Sequence, residues 1–329
     1  MPTIMTDEMA LSPADDASAT VIDDRAAWDI VVLMAGMAPA LTLSAEPIAF
    51  AWISNELHSV DRTDPDAIVA WEPGRGWTVL ISGQDPRHGV LDLWRPICSA
   101  TPQHPVSVGH LGQSIDGFIA TPSGDSQFVT GHQNILHLHR LRALCSAVIV
   151  GAGTVAFDNP MLTTRHVEGP NPIRVIFDPG RRLEGDYRLF TDDTATTVYA
   201  CGREHLLPKE THVGRAEVVA LSSDVPVIAA AELMAYLRER GCFRLFVEGG
   251  GVTVSAFLEA GLLDRLQIAI APVFIGTGRP AIRLPAREAL RDCARPEYRV
   301  FRMGGDVLFD CNLRVTAQEG DDATVSRVI

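Results

Sequence analysis

The residues best suited to chemistry gather around glycine-rich turns. In Leu245-Phe246-Val247-Glu248-Gly249-Gly250-Gly251-Val252-Thr253, an apolar β-rich run ends on a carboxylate and gives way to an amphipathic helix through Leu258. Three glycines let the backbone approach a ligand, and the free N–H groups and positive end of the helix suit a pyrophosphate. A bare strand-to-helix turn is the competing reading. Glu248 falls at the carboxyl end of its strand, where open α/β sheets bind ligands.

A second run, Val148-Ile149-Val150-Gly151-Ala152-Gly153-Thr154-Val155-Ala156, has the G-x-G-x-x-A spacing of a dinucleotide fingerprint, and Asp178 stands 27 residues beyond Gly151. That fingerprint must open a full helix. Here Pro160 stands only seven residues beyond Gly153 and stops one. A third element, Gly112 to Gly117 followed by Gly124 to Gly131, is a polar loop that by itself carries no chemistry.

The elements that must position these turns follow an alternating order. Strands are expected at 106–111, 147–150, 173–177, 197–200, 217–220, 244–247 and 266–271, with helices near 132–144, 229–240 and 252–260. That alternation predicts a mainly parallel sheet covered on both faces. Residues 298–301 and 307–313, around Gly304-Gly305, read as an antiparallel hairpin closing its edge. Before a linker at 99–105, residues 25–98 read as a small α+β module with a helix over 25–38 and a hairpin joining 69–71 to 77–81. Residues 1–24 read as a disordered leader, 105–315 as the chemical domain and 316–329 as a flexible tail.

Composition narrows the function. The net charge of −13 argues against nucleic acid as partner. Fifteen acidic against five basic residues fall in 1–100, while 101–185 is balanced at six of each, so an anionic ligand is tolerated in the second stretch. No run is long and apolar enough to span a membrane. Six scattered cysteines without a C-x-x-C pair suit reduced thiols in the cytoplasm and offer no zinc site. His137 and His139, at i and i+2 on a helix, diverge and make no metal pair.

Taken in order, these segments resemble the reductase domain of the bifunctional riboflavin-biosynthesis deaminase/reductases and its stand-alone relatives. The likeness runs from Pro105 to the C-terminal hairpin. It takes in Gly112 to Gly117, Ser123-Gly124-Asp125-Ser126, His139-Arg140-Leu141-Arg142-Ala143, Val150 to Val155, Asp158-Asn159-Pro160-Met161-Leu162-Thr163-Thr164-Arg165, Asn171 to Val175, Val247-Glu248-Gly249-Gly250, Ala271-Pro272 and Gly276 to Pro280. The resemblance implies a dihydrofolate-reductase-like three-layer α/β fold, NADPH as hydride donor, a small pyrimidine, pterin or sugar-amine substrate, and a homodimer. By matching position, it implies that Gly112, Phe128, Thr154, Asp158, Gly250, Gly251, Val252 and Thr253 contact the cofactor. Ser126, Arg142, Leu162, Arg165 and Glu248 are implied to contact the substrate, with Glu248 as the catalytic group or water relayed in its place. Arg142 and Arg165 could grip a phosphate bidentately. Arg181 and Arg182 suit either the 2′-phosphate of NADPH or a solvated basic turn, and Asp116 could be catalytic but better suits a turn before glycine.

Three departures bear on activity. The first hundred residues hold no H-x-E and no P-C-x-x-C, so zinc deamination is not expected. The family places a lysine two residues before the loop glycine, where this chain has His110, which can be neutral. The N-terminal module has no evident counterpart. The leading expectation is an NADPH-dependent reductase. The alternatives are a cofactor-binding sensor without turnover and a Rossmann-type NAD dehydrogenase using Asp178.

Overall fold

The computed structural model describes residues 20–127 and 129–316. Its first helix, α1 (Thr20–Leu41), buries Ala27, Ile30, Val31, Met34 and Ala38, the i, i+3, i+4 stripe of a helix packed along one face. It starts at Thr20, so the last five residues of the stretch expected as a leader are helical. The rest of the expected leader and the tail beyond Thr316 lie outside the described residues.

Strands β1 (Ile48–Ile53), β2 (Glu56–Val60), β3 (Ala67–Glu72) and β4 (Gly76–Val79) form a small antiparallel sheet in the order β2-β1-β3-β4. The β1–β2 hairpin, unforeseen in the sequence, turns on Ser54 and Asn55 with φ of 53° and 64°. Both residues lie in the left-handed region that two-residue hairpin turns require. The expected β3–β4 hairpin sets Trp71 opposite Trp77, with ring centroids 5.5 Å apart. A second helix, α2 (His88–Cys98), was hidden by its internal Pro96; it buries Leu91, Trp94, Ile97 and Cys98.

The larger sheet follows from β5 (Val106–Ser114). In chain order come β6 (Phe118–Ala120), α3 (His132–Leu144), β7 (Ala147–Gly151), α4 (Ala152–Asp158), β8 (Ile173–Phe177), α5 (Arg188–Thr191), β9 (Thr197–Gly202), β10 (His212–Val213) and β11 (Ala216–Leu221). Then follow α6 (Pro226–Glu239), β12 (Arg244–Glu248), α7 (Gly251–Glu259), β13 (Arg265–Ala271), β14 (Arg279–Pro280), β15 (Pro296–Met303) and β16 (Asp306–Thr316). The strand order is β10-β11-β9-β8-β7-β12-β5-β13-β16-β15. Pairing is parallel from β11 to β13, and β10, β16 and β15 add antiparallel edges. The central strands β7 and β12 are buried along their whole length, as a sheet covered on both faces demands. This is the expected α/β architecture, hairpin included.

One apolar cluster fills each face. Leu233, Leu237, Val254 and Phe257 of α6 and α7 pack on one side. On the other, Trp28, Met34 and Trp94 share a continuous core with Val108, Leu141, Val148 and Phe246. The residues expected as a linker form a turn: Thr101 and His104 exchange backbone hydrogen bonds of 3.0 and 3.1 Å, and Ala100 is buried. Arg244 at the start of β12 donates to the carbonyls of Ala35 and Ala100. Trp94 stacks on His137 of α3 at 4.7 Å and meets Trp28 edge-on at 5.8 Å.

All five tryptophans lie within the first hundred residues, so their fluorescence reports the N-terminal layer while far-UV circular dichroism reports the whole chain. In urea, the two signals should give one coincident transition. Trp94→Ala should shift both together by about 3–5 kcal/mol. An earlier fluorescence transition would show that the layer folds apart from the large sheet.

Candidate active site

The strongest turn lies where β12 ends. Gly249 and Gly250 have φ of 69° and 59°, values that only glycine adopts without strain, and α7 begins at Gly251. A Cβ on Gly250 would stand 2.9 Å from Thr154 Oγ1, and one on Gly151 would stand 1.9 Å from Thr253 Oγ1. The turns after β7 and β12 therefore interlock, each needing a glycine opposite the other's threonine. The N–H groups of Thr253 and Val254 donate to the Gly250 carbonyl at 3.0 and 3.2 Å, and the start of α7 lines a cavity of about 410 Å³. Gly112, Ser126, Thr154, Asp158, Glu248 and Gly250 to Thr253 all line it.

The fold does not bring the other expected residues there. Arg142 lies behind Glu248 and not in the cavity: its Nε donates to Oε2 at 2.8 Å, its Nη2 to Oε1, and its Nη1 to the Thr163 carbonyl at 3.2 Å. Leu162 is buried with a φ of 53°, and Arg165 is exposed, its backbone N–H donating to His139 Nδ1 at 3.0 Å. Phe128 lies outside the described residues. Of the basic pair after β8, Arg181 is consumed by a two-point contact with Glu210, while Arg182 lines the cavity with its Nε donating to Asp178 at 3.2 Å. Asp116 accepts from Ser114, Ile275 and Gly276 and pins a turn.

The Rossmann alternative does not survive the geometry. The helix α4 has seven residues and ends on left-handed Asn159 ahead of Pro160. Asp178 is buried and accepts from the Arg182 and Leu183 N–H groups and the Tyr199 hydroxyl. It presents nothing to a ribose.

Register partners on adjacent strands share a face, and here they form a polar row across five strands. Glu248 pairs with His110, His110 with Gln267, Gln267 with Asp310, and Asp310 with Arg299. Gln267 Nε2 donates to Asp310 at 3.3 Å, so its Oε1 faces His137 Nε2 at 2.8 Å, which must be the donor. Burial lowers the His137 pKa to about 4, consistent with a neutral ring. Although burial opposes it, Arg265 and Arg299 hold the Asp310 carboxyl below the usual range. Arg299 continues to the Asp92 carbonyl of α2 at 2.7 Å.

His110 is the exception in this row. Neither ring nitrogen has a hydrogen-bond partner, and neighbouring Asn134 has an unpartnered Oδ1. Burial, then His137, push the His110 pKa well below its ordinary value, against a smaller opposing pull from Asn134. Both residues line the cavity wall. Asp158 is the other perturbed group: burial raises its pKa, Arg279 opposes and Glu248 adds to the rise. Arg279 went unassigned in the sequence, where only the spacing Gly276-Thr277-Gly278-Arg279-Pro280 hinted at a turn with a cation on it. It too lines the cavity.

Comparison with known proteins agrees with this geometry. Residues 108–297 match the family model described as the RibD C-terminal domain. The chain is 31% identical over 224 residues to the 2,5-diamino-6-ribosylamino-4(3H)-pyrimidinone 5′-phosphate reductase of Methanothermobacter thermautotrophicus, covering 64% of this chain and 99% of that protein. It is 34% identical over 179 residues to the riboflavin biosynthesis protein RibD of Chlamydia muridarum, covering 52% of this chain but only 47% of the relative. Among solved structures, the Thermotoga maritima diaminohydroxyphosphoribosylaminopyrimidine deaminase/5-amino-6-(5-phosphoribosylamino)uracil reductase superposes with a TM-score of 0.55 at 26% identity. That match covers 70% of this chain and 62% of the other. The chain thus spans about half to two-thirds of the bifunctional proteins and nearly all of the archaeal reductase. With its mainly parallel sheet, interlocked glycine turns and matched segment, this chain belongs to the RibD C-terminal domain family, within the dihydrofolate-reductase-like fold.

Proposed function

We propose that this chain is an NADPH-dependent reductase of the riboflavin-biosynthesis type, acting on a ribosylaminopyrimidine phosphate or close analogue and lacking deaminase activity. One observation carries the reading: a glycine-lined helix start and the Arg142-clamped carboxylate of Glu248 open on the same 410 Å³ cavity. NADPH bound there supplies a hydride. The α7 N-terminus and Thr154 suit its pyrophosphate, and Arg182 suits its 2′-phosphate. Glu248, its geometry fixed by Arg142, orients the substrate. Asp158, on the cavity wall with its pKa raised by desolvation against the pull of Arg279, is the proton donor of this reading. His110 offers the substrate an uncharged face where the family has a lysine. A homodimer in the cytoplasm belongs to the same proposal.

Glu248→Gln should retain NADPH affinity and lose about 10²–10³-fold in turnover; unchanged turnover would remove Glu248 from the reaction. Arg182→Gln should weaken NADPH by about tenfold and leave NADH unaffected. Equal losses for both nucleotides would show that Arg182 does not read the 2′-phosphate. Because Asp158 must carry a proton to deliver one, turnover should fall as pH rises through its elevated pKa, above the ordinary 3.8. Asp158→Asn should abolish that limb of the profile, and a limb that survives would assign it to another group.

A further inference from the structure

Arg279 is a cation of the cavity wall. It stands on the short ribbon where β14 pairs with β6, opposite Ala120. Its guanidinium lies over the Phe157 ring at 3.9 Å, a close cation–π contact that leaves the N–H edge free. On another side it meets Gly124, where a Cβ would stand 2.8 Å from Nη2; glycine, with φ of 97°, makes room for it. Among the described residues, no hydrogen bond or ion pair satisfies this guanidinium. Asp158 acts on it only through space.

The surroundings say what would complete it. Arg182, Arg279 and Arg283 line the cavity against the carboxylates of Asp158 and Glu248; Arg182 is already paired with Asp178, and Glu248 with Arg142, which leaves Arg279 and Arg283 against Asp158. The excess is cationic. A flat guanidinium fixed on an aromatic ring is pre-organised for two-point contact with a phosphate. The arginines expected for that task are elsewhere: Arg142 is spent on Glu248, and Arg165 is outside the cavity.

We infer that Arg279, stacked on Phe157, is a phosphate-ester grip of this cavity. This rests on the reductase reading for the identity of the ligands, and two are at hand: the 5′-phosphate of the substrate and the pyrophosphate of the cofactor. The test is calorimetric titration of wild type, Arg279→Gln, Arg279→Lys and Phe157→Leu with three probes. These are NADPH, 5-amino-6-(5-phosphoribosylamino)uracil and its dephosphorylated form.

Arg279→Gln should weaken one phosphorylated probe by about tenfold or more. Loss for the pyrimidine phosphate, with the dephosphorylated form unaffected, assigns the grip to the substrate; loss for NADPH assigns it to the cofactor. Arg279→Lys should recover only part of the affinity, and Phe157→Leu should show a smaller loss for the same probe. Both follow from a stacked fork and not a bare charge. Unchanged affinity for both phosphorylated probes in Arg279→Gln overturns the inference, as does wild type binding neither. Binding without NADPH oxidation in wild type sinks the reductase reading and leaves the grip standing.

Discussion

The site depends on one buried ion pair. Glu248 closes β12 at the base of the cavity, and the Arg142 guanidinium meets both of its carboxylate oxygens from α3. A carboxylate at that depth without a partner would cost about 3–5 kcal/mol. The pair holds α3 against the sheet and aims the carboxylate into the cavity. It also commits the Arg142 guanidinium to Glu248, while Arg182, Arg279 and Arg283 line the cavity.

The same face explains how the N-terminal layer reaches the site. The polar row that starts at Glu248 passes through His110, Gln267 and Asp310 to Arg299, and ends on a carbonyl of α2. Trp94 of that helix stacks on His137, and His137 faces both Gln267 and His110. Every member of this network is satisfied except His110. A buried polar group left unpaired costs about 1–3 kcal/mol, and His110 is that group, on the cavity wall beside Glu248.

Much of the fold was legible in the sequence because the signals are local. Val148-Ile149-Val150 and Leu245-Phe246-Val247 are continuous apolar runs, as strands buried on both faces must be, and helix α3 matches its expected bounds of 132–144. Pro160 announced the short helix α4. Less legible were α2, whose Pro96 reads as a breaker, and the β1–β2 hairpin, where Ser54-Asn55 lacks the glycine that usually signals such a turn. Neither is decided locally, since the core shared with the large sheet holds both in place.

By itself the sequence determined the strand and helix order, the glycines at Gly151 and Gly249 to Gly251, and a carboxylate at Glu248. These are properties of short stretches of chain. The tertiary structure alone decided which charges face the cavity, because partners arrive from far away in sequence. Glu248 lies 106 residues from Arg142, and Arg181 finds Glu210 while its neighbour Arg182, bonded through Nε to Asp178, lines the cavity. Where a guanidinium points depends on which carboxylate the fold brings to it, and that is not written in the residues beside it.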